Sequence, residues 1–322
     1  MGRGGEEIGS PLLMALAERA ARPYIVGQEL ADAMRASRAL HARGFRSTIG
    51  FWNRVDEDPD EIAARYSAAI DAIGTEGLDC RVSVKAPPLQ FSQDRFGSLV
   101  ERARKRNVGL HFDSLWPEAT EETFSLLSKL VATYPNLGCT LPARWRRSPD
   151  DADRAIELGL GVRIVKGQWP DPGDPERDLR AGFLEVVDHL AGRVRYAAVA
   201  THDAPLAREA LARLRAAGTP CELELLYGLP LRKVVAVARA AAVPVRVYLP
   251  YGHGFLPYAM EQLKAHPWIA LQVVRAWVEP GKSVFELPPM TAESAPLKRA
   301  AREFDDPGAH SEVPFAVPKT RS

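Results

Sequence analysis

The sequence predicts an α/β fold, a (β/α)₈ TIM-like barrel with an extra N-terminal helix and an irregular C-terminal tail. First, short apolar strands alternate with amphipathic helical segments until eight strands have been counted. Second, no glycine-rich turn follows the first strand, which disfavours an open dinucleotide-binding sheet. Third, the length of 322 residues allows one large α/β domain or two smaller ones.

Each element has its own signal along the chain. Ser10 and Pro11 cap a predicted extra helix over 10–22, before the barrel's first helical pattern. Apolar residues three or four apart predict further helices, at Leu30, Ala33, Met34, Ser37, Leu40; Ile62, Tyr66, Ala69, Ile73; Phe96, Leu99, Val100, Ala103; and Leu206, Ala210, Leu211, Leu214. The predicted strands are 46–51, 81–85, 108–113, 137–141, 162–166, 196–200, 222–226 and 245–249.

These elements give three predicted regions. Residues 1–22 form an N-terminal extension, 23–278 the barrel, and 279–322 a proline-rich, charged tail that we expect to be poorly ordered. Within the barrel, Ser148-Pro149-Asp150-Asp151 predicts a helix start with Ser148 as the N-cap.

Composition excludes several classes of function. The formal net charge is +1, which gives no electrostatic case for binding nucleic acid or a membrane surface. No apolar run is long enough to cross a bilayer, and the first residues lack the apolar core of a secretory signal. The three cysteines, Cys80, Cys139 and Cys221, are widely spaced beside apolar strands, as buried residues of a reducing compartment are. We therefore expect a cytoplasmic protein.

Polar side chains follow nearly every predicted strand at its carboxyl end, where a barrel of this type carries its active site. The exception is the fourth strand, which ends Leu141-Pro142-Ala143-Arg144. Strand ends meet solvent and are commonly polar, but the whole ring favours a functional mouth. Its members are Lys85, Asp113, Arg163, Lys166, Thr201, His202, Asp203, Glu224, Tyr227, Tyr248 and Tyr251.

The usual motifs of self-contained catalysis are missing. No histidine pair or CxxC has metal-ligand spacing, so a metal site is not expected. Gly281-Lys282-Ser283 ends like a phosphate loop, but Ala276 stands where its first glycine belongs. No GxSxG elbow is present, which points to a cofactor that carries the difficult step.

The strand-end segments, taken in order, resemble the flavin-dependent proline dehydrogenase family. The similar segments are YIVGQELADAM, ARGFRSTIGFW, VSVKAP, HFDSLWPEA, VRIVKGQW, ATHD, ELELLYG and VRVYLPYG, spread over about residues 23–268. The resemblance implies a barrel with FAD across its carboxyl face. Arg163 would lie near the reactive flavin nitrogen, and the other cofactor contacts would be Ser114, Lys166, Gly167, Gln168, Thr201 and His202.

The same resemblance places the substrate. Lys85 and Asp113 match residues beside the substrate amine, and Tyr248 the tyrosine that closes over it; Asp113, Arg163 and Lys85 would be the catalytic group. Two structural alternatives stay open: ion pairs of Arg163 and Lys166 with Glu224 or Asp113, and a Lys85–Asp113 salt bridge at the barrel mouth.

The chain departs from the family pattern where the substrate carboxylate is bound. The family has a tyrosine followed three residues later by two arginines, whereas this chain has Tyr258 followed by Glu261 and Gln262. A glutamate repels a carboxylate that an arginine fork would bind. Pro142 and Arg144 replace a glutamine and a tyrosine on the fourth strand, and Arg144 could be a relocated anion anchor.

The sequence thus predicts an FAD-dependent oxidoreductase that oxidises a C–N bond of a small amine or amino-acid derivative other than free proline. One alternative is a proline dehydrogenase proper, with the carboxylate held by Arg144. Another is a catalytically silent barrel that serves as a binding or regulatory module. The electron acceptor is left open between a quinone, oxygen and a carrier protein; a quinone would put the protein at the periphery of the inner membrane.

Overall fold

The computed structural model describes residues 25–254 and 289–290. The predicted helix over 10–22 lies outside the described residues. So do most of the predicted tail and the segment with Tyr258, Glu261 and Gln262.

Eight parallel strands close into a barrel in which each strand pairs with its sequence neighbours and the last pairs with the first. The predicted barrel is therefore confirmed. The strands are β1 (Arg46–Trp52), β2 (Cys80–Val84), β3 (Leu110–Phe112), β4 (Leu137–Pro142), β5 (Gly161–Val165), β6 (Tyr196–Ala200), β7 (Cys221–Leu226) and β8 (Val245–Gly252).

Helices surround the barrel and bury their apolar faces against it. The apolar spacings predicted four of them correctly, since the same residues are buried, apart from Leu30, which is half-buried. The helices are α1 (Leu30–His41), α2 (Pro59–Glu76), α3 (Gln93–Arg106), α4 (Thr120–Leu130), α5 (Ser148–Glu157), α6 (Leu179–Leu190), α7 (Ala204–Ala216) and α8 (Arg232–Ala240), with short 3₁₀ turns at Pro87–Leu89 and Pro117–Ala119. In the described part of the chain, none of these helices combines the length and apolar character that crossing a bilayer requires.

Helix starts are fixed by side-chain caps in several places. Asp58, Ser92, Asp178 and Asp203 each accept hydrogen bonds from backbone N–H groups in the first turn of the following helix. The predicted N-cap role of Ser148 is wrong. Its hydroxyl instead donates to the Pro142 carbonyl at 2.6 Å, which ties the start of α5 to the end of β4.

The interior of the barrel is polar, unlike the branched apolar filling typical of this fold. Alternate residues of a strand point to the same side, so two residues of each strand enter the interior at two levels. The lower level, near the amino ends, holds Arg46, Arg81, Glu222 and Arg246; the upper level, near the carboxyl ends, holds Thr48, Ser83, Arg163, Glu224 and Tyr248. The apolar core lies between the strands and the helices, and all three cysteines are buried and free, as expected.

Candidate active site

A cavity of about 910 Å³ opens at the carboxyl ends of the strands. Its volume is near the upper end of the range for small-molecule and cofactor sites. The structure brings together the residues predicted to bind cofactor or substrate within the described part of the chain, except Arg144. Three members of the predicted ring, Asp203, Tyr227 and Tyr251, do not line the cavity either. Those that line the cavity are Lys85, Asp113, Ser114, Arg163, Lys166, Gly167, Gln168, Thr201, His202 and Tyr248.

Arg163 forms the floor of this cavity and pairs with two carboxylates. Its Nε and Nη2 donate to Glu224 at 2.7 and 2.8 Å, and its Nη1 donates to Asp113 at 2.7 Å. Burial by itself would lower the pKa of Arg163, but attraction to Glu224 and Asp113 outweighs burial and raises it. The ion pairs that the sequence left as an alternative for Arg163 are therefore formed, within a site that still faces the cavity.

Asp113 is the centre of a hydrogen-bond network on this floor. It accepts from Tyr248 Oη at 2.9 Å and from Ser83 Oγ at 2.5 Å, in addition to Arg163. The Arg163 guanidinium carbon lies 5.2 Å from the centre of the Tyr248 ring, a cation–π distance. Burial, followed by the nearby Asp113 charge, raises the pKa of Tyr248, so the phenol stays protonated and can donate.

Gly50 makes room for the Tyr248 ring. A Cβ atom at position 50 would meet the phenol of Tyr248, with Cε1 only 2.7 Å away and the hydroxyl end closer still. Glycine is therefore required on β1 for the tyrosine to reach Asp113.

Lys85 lies beside this network without joining it by an ion pair. Its Nζ donates to the Phe51 carbonyl at 2.7 Å, and it has no carboxylate within 4.0 Å among the described residues, so a direct salt bridge with Asp113 is not formed. Burial lowers the pKa of Lys85 and Arg163 lowers it further, although Asp113 opposes this change. An amine with a lowered pKa can exchange a proton near neutral pH more readily than an ordinary lysine.

The loop after β5 presents backbone to the cavity at Gly167 and Gln168. Gly167 has φ +90°, and a Cβ there would lie 2.7 Å from Pro142 Cβ, so both conformation and space favour glycine. Lys166 is half-exposed, and its Nζ lies 3.9 Å from Asp203 rather than against Glu224 or Asp113. Its head group therefore remains available at the rim of the cavity.

Arg144 lies behind this loop and does not line the cavity. Its Nη1 donates to the Gln168 carbonyl at 2.7 Å, and its backbone N–H donates to Lys166 at 3.2 Å. Trp145 supports Trp169, the residue after Gln168, in the same way, since its Nε1 donates to the Trp169 carbonyl at 2.9 Å. In this arrangement Arg144 positions the loop.

His202 connects the sixth and seventh strands at the opposite wall. Its Nε2 accepts from the Leu226 N–H at 3.0 Å, so in the neutral tautomer its Nδ1 donates to the Pro230 carbonyl at 3.3 Å. Burial, followed by the nearby Lys166 charge, lowers the pKa of His202, which favours this neutral form. Thr201 is buried beside it, and its Oγ1 accepts from the Asp203 N–H at 3.2 Å.

Sequence reasoning missed residues that complete the site from the strand interiors. Thr48 donates to Glu224 at 3.0 Å, and Ser83 donates to Asp113. Both stand two residues after an arginine on their strand, so the alternation of β1 and β2 could have indicated them. Trp52 and Trp116 also line the mouth.

Comparisons with known proteins agree with this fold. No family model matches the chain. Proline dehydrogenase 1 of Bacillus subtilis subsp. natto is 24% identical over 273 residues, which cover 79% of this chain and 89% of that protein. The proline dehydrogenase of Deinococcus radiodurans is 25% identical over 297 residues, 85% of this chain and 94% of that protein.

Solved structures of proline utilization A proteins share the fold. The protein from Bdellovibrio bacteriovorus, inactivated by N-propargylglycine, has a TM-score of 0.66 at 14% identity and covers 87% of this chain. The protein from Corynebacterium freiburgense has a TM-score of 0.61 at 17% identity, again over 87% of this chain. The chain spans only 37% and 35% of the lengths of these two proteins.

Proposed function

We propose that this relative of the proline dehydrogenases is an FAD-dependent oxidoreductase that oxidises the C–N bond of a small amine other than free proline. The observation that carries the proposal is the floor of the carboxyl-end cavity. There a buried guanidinium is held between two carboxylates, with a protonated tyrosine above it and a desolvated lysine at its side.

The residues present fit a flavin cofactor. A guanidinium has five N–H donors, and Arg163 uses three of them within the ion-pair cluster, which leaves two for a group above the floor. Lys166 contributes a half-exposed cation at the rim, and Gly167 exposes backbone where a side chain would clash with Pro142. Such donors suit the electron-rich edge of a flavin ring and the phosphates of FAD. When bound, the flavin supplies the acceptor for a hydride.

The chain's own residues would bind and orient the amine. Asp113 can accept from a protonated amine, and Tyr248, fixed by its bond to Asp113, closes one side of the space above the floor. The amine must lose a proton before hydride can leave the adjacent carbon to form an imine. Lys85 Nζ, whose pKa is lowered by burial, is the base that we assign to take this proton.

The charge of the cavity supports an amine that lacks a carboxylate. Asp113 and Glu224 together outweigh the single positive charge of Arg163, so no charge of Arg163 is left for a substrate carboxylate. Lys166, at the rim, is assigned to the cofactor. Glu261 stands where the family has a carboxylate-binding arginine, and it adds a negative charge by resemblance. A cationic or hydrogen-bond-donating end group, such as an amide, a hydrazine or a second amine, suits this composition.

The alternative with Arg144 as the carboxylate anchor predicts a different behaviour. Because Arg144 donates to the Gln168 carbonyl behind the loop, it would have to abandon that bond to reach a substrate. We expect Arg144→Ala to weaken flavin retention through the loop and to leave selectivity for the substrate unchanged. Arg146→Ala, an exposed neighbour, is the matched control.

The first experiment measures cofactor content. The purified full chain should be yellow, and mass spectrometry should find FAD, or the chain should take up added FAD stoichiometrically. A colourless protein that takes up no FAD would contradict the proposal and favour the silent barrel.

The second experiment measures selectivity. In anaerobic flavin reduction, prolinamide and simple cyclic amines should act at lower concentrations than free L-proline. Glu261→Arg with Gln262→Arg should shift the preference toward L-proline. Fast reduction by L-proline in the wild type, lost in Arg144→Ala but kept in Arg146→Ala, would instead establish the Arg144 alternative.

A further inference from the structure

A second cavity, of about 370 Å³, lies at the amino end of the barrel, opposite the candidate active site. Five arginines contribute to its lining together with one acid, Asp79. The arginines are Arg46, Arg81, Arg106, Arg195 and Arg246. None of the roles assigned above uses this end of the barrel.

Three of these arginines share two carboxylates, the buried Glu222 and the half-exposed Asp79. Glu222 accepts from Arg246 at 2.6 Å, from Arg46 at 3.2 Å and from Arg81 at 3.4 Å. Asp79 lies 3.0 Å from both Arg46 and Arg246. Burial by itself would raise the pKa of Glu222, but Arg246, Arg81 and Arg46 outweigh it and lower it, so both acids are ionised. The inner network therefore retains one positive charge.

The other two lining arginines have partners outside this network. Arg106 pairs with Asp71 on the outer face of the barrel, and Arg195 donates to the Leu137 carbonyl. Among the described residues, the positive excess at the cavity is therefore the one charge of the inner network. His111, which also lines the cavity, adds no charge because burial lowers its pKa well below the usual range.

Arg81 is the least satisfied of the inner arginines. Among the described residues the only hydrogen bond of its guanidinium is the 3.4 Å contact with Glu222, and the guanidinium carbon lies 4.7 Å from the centre of the Tyr196 ring. The Tyr196 hydroxyl is buried in the same lining and has no hydrogen-bond partner among the described residues. A buried hydroxyl without a partner is unfavourable unless a ligand accepts a hydrogen bond from it.

We propose that this amino-end cavity binds a small organic anion, such as a phosphate monoester or a dicarboxylate. Guanidinium groups match the paired oxygens of both anions, and the positive excess of the inner network attracts them. The cavity has more room than a single phosphate group needs, and Ile73, Leu78, Leu110 and Pro220 offer apolar surface to a short carbon skeleton. Arg81 and the Tyr196 hydroxyl are the donors that the ligand would complete.

The test uses thermal unfolding of the full chain with inorganic phosphate, glycerol phosphate or succinate, at constant ionic strength set with chloride. The expected result is a saturable rise in Tm that chloride does not give. The three probes separate the sources. Stabilisation by phosphates alone indicates a phosphate ligand, and stabilisation by succinate alone indicates a dicarboxylate.

Two variants and one control assign the effect to the cavity. Arg81→Gln should weaken the apparent affinity about tenfold or more, as expected for the loss of a charged hydrogen bond. Arg102→Gln removes an exposed arginine that pairs with Asp71 and lies outside the lining, so it should leave the affinity unchanged. Tyr196→Phe should weaken anion binding without lowering the Tm of the anion-free protein, because no bond is lost.

Two results would overturn the proposal. One is a Tm that rises no more with the dianions than with chloride. The other is an equal loss of binding in Arg81→Gln and Arg102→Gln, which would indicate general surface charge. Should Arg81→Gln fail to fold, Tyr196→Phe decides, and unchanged binding in that variant refutes the assigned site.

Discussion

Replacing Gly50 by alanine should displace Tyr248 and break the network on the floor of the carboxyl-end cavity. The new Cβ would lie 2.7 Å from Tyr248 Cε1, whereas ordinary contact begins at 3.4 Å, so the ring must retreat by at least about 0.7 Å. The hydroxyl end is closer still and must move further. A hydrogen bond of 2.9 Å between Tyr248 Oη and Asp113 does not survive a shift of that size.

The expected loss of stability follows from the same geometry. Overpacking of a tight interior costs about 1–3 kcal/mol, and the lost bond to the Asp113 carboxylate adds to it. The assay is urea unfolding followed by circular dichroism, with the free energy of unfolding compared at constant m-value. In the flavin-loaded protein, amine oxidation should fall as well, because Tyr248 no longer closes the site.

Gly97 provides the matched control for the same chemical change. It lies in α3, and an added Cβ there would meet no atom within 4 Å. Gly97→Ala should therefore stabilise the protein by about 1 kcal/mol, the gain in helix propensity. If Gly50→Ala were as stable as the wild type and retained the tyrosine–aspartate bond in its structure, the assignment of Gly50 as the space for Tyr248 would be refuted.

Two further predictions concern buried charge and pH. Glu224→Gln leaves the buried Arg163 guanidinium with one carboxylate and should lower the free energy of unfolding by about 3 kcal/mol. Asp60→Asn, which breaks an exposed ion pair, should change that free energy little. Similar losses in the two variants would show that burial does not matter here. Burial lowers the pKa of His111 well below 6.5, so the unfolded chain takes up a proton more readily below that pH. Stability should fall by up to about 1.4 kcal/mol per pH unit between pH 6.5 and 5, and His111→Gln should lack this slope in unfolding curves at each pH.

The fold could be predicted because apolar residues repeat with different periods in the strands and in the helices along the whole chain. Successive strands pair with each other, so the strand order needed no long-range information. The third strand shows the limit of that signal. Residues 108–113 were predicted, but only Leu110–Phe112 pair in β3. Val108 is apolar for another reason, since its N–H closes the end of α3 on the Ala103 carbonyl and its side chain packs in the core.

The residues at the upper level of the barrel interior could be predicted from the strand ends, whereas those at the lower level could not be predicted in that way. Reasoning from strand ends treats arginines at amino ends as solvated, yet Arg246 is 1% exposed and Glu222 is fully buried. Alternation carries the missing information. Glu222 and Glu224 are two residues apart on β7, as Arg246 and Tyr248 are on β8, so each pair shares the interior.

The position of Arg144 could not be inferred from sequence. Its direction depends on the conformation of the loop after β5, which in turn depends on the positive φ of Gly167. A side chain whose partner is a backbone carbonyl 24 residues away leaves no local pattern. Only the folded loop shows whether Arg144 is an anchor for the substrate or a support for the backbone that would bind the cofactor.

Strand β7 links the two ends of the barrel electrostatically. Glu222 and Glu224 are two residues apart, about 6.7 Å along the strand. At that distance two like unit charges repel each other by about 2.5 kcal/mol at an effective dielectric constant of 20. The arginines that pair with Glu222 offset this repulsion, and Glu224 accepts two bonds from the Arg163 guanidinium. Neutralising the arginines of the lower level, by substitution or by a bound dianion, should weaken the two bonds between Glu224 and Arg163 on the floor of the candidate active site.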